Sequence, residues 1–187
     1  MPTVQIVLYA VLGLALVISA VTDIKSRLIY DVITLPTILL SLLIRLVHGG
    51  PINPLTNTWG LASGLAGLFI GFGVFFVMML TGGMMAGDVK LMAAVGAALG
   101  IPGVVSALMF TALVGGLEAI LVVVWKGSLV DTFVNMGRKL AHALRIKRMD
   151  GPPAEKTYVP YGVAIAVGSV WAMWWDWQHP LLDSVSH

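Results

Sequence analysis

WGLASGLAGLFIGFGVFFVMML, residues 59–80, has no charged side chain and no proline. A helix needs about 20 consecutive apolar residues to cross the hydrocarbon core of a bilayer. This stretch meets that length, and on both sides of it the chain repeats the pattern. Toward the N-terminus lie apolar runs at 4–21 and 32–47, the second with Pro36 near its start. Toward the C-terminus TGGMMAGD, residues 81–88, is a turn-rich break. The run that follows, 89–125, is too long for one span, and Gly100-Ile101-Pro102-Gly103 divides it, because Pro and Gly punctuate helices. A last run covers 158–177. The expectation is an all-α, polytopic integral membrane protein: a single domain over 1–187 built as a bundle of about six transmembrane helices.

Composition agrees. Of the 187 residues, 58% are hydrophobic and 11% charged, with mean hydropathy +0.94. A soluble domain carries roughly 45–50% apolar and about 25% charged residues. A soluble enzyme, a disordered chain and a coiled coil are excluded. No cysteine is present, which removes disulfides, thiolate metal sites and cysteine nucleophiles. Residues 1–5 hold no Lys or Arg, so the first run reads as a retained helix rather than a signal peptide.

Charge gives an orientation. Ten of the eleven Lys and Arg residues fall in the segments joining helices one to two, three to four and five to six; Arg45 alone lies toward the other side. The positive-inside rule makes the first side cytoplasmic and leaves both termini outside. Trp171, Trp174, Trp175 and Trp177 crowd the outer end of the last helix as an aromatic belt. Gly60/Gly64, Gly67/Gly71 and Gly96/Gly100 recur at the four-residue spacing that lets helix backbones approach closely within a bundle. In the long loop 127–157, Leu129, Phe133, Met136, Leu140 and Leu144 share one helical face behind a Ser128-x-x-Asp131 capping box. That is an amphipathic helix on the inner leaflet, ended by Gly151-Pro152-Pro153, with membrane lipid as its partner.

Ionisable groups inside a membrane are costly and mark functional positions. Asp23 closes the first helix and Asp88 opens the fourth, at the same interface. Two carboxylates brought together do not both ionise easily and tend to share a proton. One then activates a water as general base and the other hydrogen-bonds the carbonyl of a scissile peptide. The competing reading is that each Asp borders a helix at the wet interface. Glu118 lies roughly 12 Å deep at about 1.5 Å per residue, as a protonated structural group or part of a proton path. Asp23, Asp88 and Glu118 together would also suit a small proton- or ion-coupled transporter. No H-E-x-x-H motif occurs, and His48, His142, His179 and His187 are scattered, so no metal site is expected. Ser63 in Ala62-Ser63-Gly64 has a faint nucleophile look without a neighbouring His.

Three segments together resemble a known family: TDIKSRLI at 22–29, GGMMAGDVKL at 82–91 and VPYGVAI at 159–165. They are similar to the motifs of the type IV prepilin peptidases, a group of GxGD intramembrane aspartic proteases. The resemblance implies an aspartic endopeptidase of the bacterial inner membrane that removes a short basic leader from a prepilin at the cytoplasmic face, without cofactor, metal or nucleic acid. It implies Asp23 and Asp88 as the catalytic dyad. Gly87, Lys90, Arg27, Pro160, Tyr161 and Met85 follow as substrate-binding or site-shaping residues. Met85 stands where the family usually has Gly, and Ile29-Tyr30-Asp31 lacks the family's usual Pro. The absence of a Cys-containing N-terminal domain resembles the short, peptidase-only form of Flp (tight-adherence) pili, for which no N-methylation is expected. An inactive scaffold of a pilus assembly system is the remaining alternative.

Overall fold

The computed structural model describes residues 2–26, 28–49, 60–80, 84–125 and 161–178. The amphipathic segment 127–157, Arg27 and Pro160 lie outside them. Among the described residues there are five helices and no strand: α1 (Pro2–Ser26), α2 (Asp31–Gly49), α3 (Leu61–Leu80), α4 (Ala86–Trp125) and α5 (Tyr161–Gln178). Met1–Gly115 and Pro160–His187 form one compact unit. Gly116–Val159 forms a second, of which 116–125, including Glu118, is described as the end of α4. Among the described residues four helices contain stretches long and apolar enough to cross a membrane: Val4–Ser26, Asp31–His48, Leu61–Leu80 and Ala86–Leu121.

Helix α2 is greasier outside than in. On α2 the buried stripe is Thr34, Thr37, Ser41 and Arg45, at intervals of three, four and four, while Val32, Leu35, Leu39, Leu43 and Val47 face outward. Leu39 is 68% exposed and Arg45 0%. In water this arrangement would be inverted. In a bilayer, apolar side chains face lipid and polar groups find partners within the bundle. On α1 the buried face runs Leu8, Leu12, Ala15, Leu16, Ser19, Asp23. It packs on α2 and α5. Two ties hold α1 antiparallel to α5. At one end Asp23 meets Gly162; at the other the Tyr9 hydroxyl donates to Asp176 Oδ2, and Gln5 Nε2 donates to the Tyr9 oxygen at 3.0 Å. Asp176 belongs to the last turns of α5.

The glycine spacing of α3 and α4 does what it implies. A Cβ on Gly67 would fall 2.8 Å from the Gly100 carbonyl carbon, and one on Gly71 2.6 Å from the Met92 carbonyl oxygen. No side chain fits in that seam. The expected division falls at Gly100, whose φ 75°, ψ −169° lie outside the helical region, with Pro102 two residues on; α4 is two helical stretches that meet there at a kink. The expected fourth and fifth spans are thus joined end to end in α4.

The kink frees backbone groups, and neighbouring helices satisfy them. Pro102 has no N–H, so the Ala98 carbonyl, four residues earlier, loses its helical donor. Arg45 Nη2 donates to that oxygen at 2.7 Å, and Arg45 Nη1 donates to the Gly60 carbonyl at 3.4 Å. The Ile101 N–H donates to Ser63 Oγ at 3.3 Å. The Ser63 hydroxyl oxygen is therefore an acceptor for a backbone N–H at the kink. Arg45, counted from sequence only as a charge on the outer side, is a buried staple between α2 and α4. Replacing Arg45 with Met keeps its length and removes the donors. An orphaned buried carbonyl costs about 1–3 kcal/mol. We expect Arg45→Met to lower the thermal unfolding midpoint in detergent; an unchanged midpoint would contradict the staple.

Candidate active site

Asp23 is 2% exposed and Asp88 5%. They reach one cleft from different helices, and its lining is Asp23, Leu28, Ile29, Met85, Gly87 and Asp88. Each carboxylate sits at the start of a helix. The first N–H groups of a helix have no partner within it and carry the positive end of its dipole, so they favour an anion. The Gly162 N–H, second residue of α5, donates to Asp23 Oδ2 at 2.9 Å. Asp88, in the first turn of α4, folds back so that Oδ2 accepts from the Met85 N–H at 3.1 Å. This is the acidic half of a capping box, with Met85 at the cap position.

Two glycines make this geometry possible. A Cβ on Gly162 would lie 2.6 Å from Asp23 Oδ2 and 3.0 Å from its Cβ and Cγ. A Cβ on Gly87 would lie 3.0 Å from Ile29 Cβ. The first glycine lets α5 present its N–H to the carboxylate; the second lets α4 begin against the linker between α1 and α2. Gly162→Ala is expected to displace Asp23 and reduce turnover of any reaction the dyad carries, with substrate affinity less affected. The kcat and KM of the purified variant check this.

The other sequence candidates fall as follows. Met85 lines the cleft and supplies the cap N–H. Lys90 Nζ lies 2.7 Å from both oxygens of Asp31, tying the first turn of α2 to α4. Tyr161 turns its ring to Gly115, with Cδ1 and Cε1 3.8 Å from the position of a Cβ there; it does not line the cleft. Sequence reasoning missed Gly162, whose signal was its place in Pro160-Tyr161-Gly162, and Asp31. It also missed Leu28 and Ile29 as walls. Among the described residues no three His, Asp or Glu side chains gather in a metal-binding group.

Two buried carboxylates from separate helices in one cleft are joined by a finding from comparison. The model of the type IV leader peptidase family matches residues 10–120. The chain belongs to that family. The matched region contains both Asp23 and Asp88 and stops before α5, so the bracing of Asp23 by Gly162 is read from the structure alone. No curated protein and no solved structure shows a significant match. The apolar exteriors of the helices and the family together make this leader peptidase relative a membrane protein.

Proposed function

We propose that this membrane peptidase is an aspartic endopeptidase that removes the short basic leader of type IV, Flp-like prepilins at the cytoplasmic membrane face. The observation that carries the reading is the convergence of Asp23 and Asp88 on one cleft. In the cycle, one aspartate is ionised and the other protonated. The ionised member takes a proton from a water, whose oxygen attacks the scissile carbonyl carbon. The protonated member donates to the carbonyl oxygen. As the tetrahedral adduct collapses, the C–N bond breaks and the leaving nitrogen takes up a proton from the dyad. Met85 and Gly162 orient the two carboxylates through backbone N–H groups, and Gly87 keeps the approach narrow.

The topology in this reading is a six-span bundle in the bacterial inner membrane, both termini outside the cytoplasm, with α4 counted as two spans about its kink. The segment 127–157 lies on the inner leaflet. Three sequence features support the arrangement: the basic residues, the tryptophan belt and the placement of the two aspartates. The test is co-expression with candidate Flp-type prepilins, following mature pilin by gel shift and N-terminal sequencing. The expected result is a new N-terminus at the junction of leader and apolar helix. Silence toward every candidate, with the protein inserted, would favour a scaffold or transporter.

A further inference from the structure

The cleft is closed to a peptide as it stands, because both carboxylates are almost fully buried. Its two walls come from different parts of the chain. One is the linker of Leu28 and Ile29, leading into α2; the other is Met85, Gly87 and Asp88 at the start of α4. Contacts cross between these walls at two places. Ile29 packs on Gly87, and two residues beyond each wall Asp31 meets Lys90. The second contact is chemically specific. One ammonium is chelated by both oxygens of one carboxylate, each at 2.7 Å. It is also open to water, the side chains being 54% exposed for Asp31 and 39% for Lys90. An exposed pair of this kind exchanges partners at little cost.

We propose that Asp31 is a subsite for a cationic side chain of the substrate's leader, and that Lys90 is its resident stand-in, displaced when the substrate binds. The inference rests on the leader-peptidase reading, in which the segment before the scissile bond is basic. Exchange of Lys90 for a substrate Lys or Arg conserves charge at Asp31. An arginine does so with a forked donor that matches the carboxylate. The same exchange unfastens α2 from α4 at the mouth of the cleft. Opening is thereby coupled to arrival of a leader of the right charge, and a neutral peptide has nothing with which to displace Lys90.

The test uses the purified full chain in nanodiscs and two synthetic prepilins that differ only in whether the leader Lys and Arg residues are kept or changed to Gln. Wild type, Asp31→Asn and Lys90→Gln are compared by kcat/KM at low and high salt. The wild type should prefer the basic leader by about two- to fivefold, the worth of an exposed ion pair, and lose that preference at high salt. Asp31→Asn should cut the two leaders at nearly equal rates. Lys90→Gln, with the subsite vacant, should lower KM for the basic leader. If Asp31→Asn keeps the wild-type ratio, or Lys90→Gln weakens both leaders equally, the pair is only a structural tie and the subsite is wrong. If the wild type cuts neither leader, the leader-peptidase reading fails and this inference with it.

Discussion

Asp23→Asn and Asp88→Asn are each expected to lower prepilin cleavage by about 10³-fold or more, the scale of losing an essential member of a catalytic group, while the bundle stays folded. Asparagine has nearly the same shape as aspartate and keeps a carbonyl oxygen. That oxygen can still accept from Gly162 N–H or Met85 N–H. What is lost is the ability to take and give a proton. Alanine makes a useful contrast at Asp88. It removes the chemistry and also the acceptor that caps α4, so Asp88→Ala should melt earlier than Asp88→Asn, by about 1 kcal/mol of lost hydrogen bonding. Cleavage rate and membrane level are measured together for all variants. Either Asn variant cleaving at the wild-type rate would remove the dyad from the mechanism.

The second large effect concerns folding. Gly96→Val is expected to prevent α3 and α4 from closing. A Cβ at Gly96 would lie 2.5 Å from the Gly67 carbonyl carbon and 2.9 Å from the Leu68 nitrogen. These are backbone atoms of a helix and cannot turn aside as a flexible side chain can. The helices must separate, and small residues are what let membrane helices gain close packing at all. Separation also pulls Ser63 from Ile101 and the Gly60 end of α3 from Arg45. A loss on the order of 3 kcal/mol or more follows, read as a lower unfolding midpoint and rapid proteolysis in detergent. Gly73→Ala on α3, the other helix of the seam, is the control, since nothing lies within 4 Å of a Cβ there. Equal midpoints for Gly96→Val and wild type would contradict the seam.

Much of this was legible in the residues. The uncharged run at 59–80 announces a membrane, the glycines at four-residue spacing announce a tight seam, and Gly100 with Pro102 announces the break in α4. Asp23 and Asp88 were legible because acids at the borders of apolar runs are few. What escaped depends on which helices become neighbours. Arg45 looks like one more charge near a helix end. Its burial follows only when α2 lies against the carbonyl that Pro102 orphans, although Thr34, Thr37, Ser41 and Arg45 at helical spacing already hinted at a polar inner face. Ser63 looked faintly nucleophilic until the Ile101 N–H was found pointing at it. Lys90 and Asp31 are 59 residues apart, and nothing local to either names the other. Gly162 acts through its backbone, which side-chain reasoning does not weigh.

The tie between Asp23 and Gly162 spans 139 residues of chain. A ribosome working at about 5–20 residues per second needs roughly 7–28 s to cover that distance. Until residue 162 has been added, the Asp23 carboxylate lacks the N–H donor that orients it. If the two aspartates carry the proposed cleavage, the site is complete only once α5 has been made and inserted.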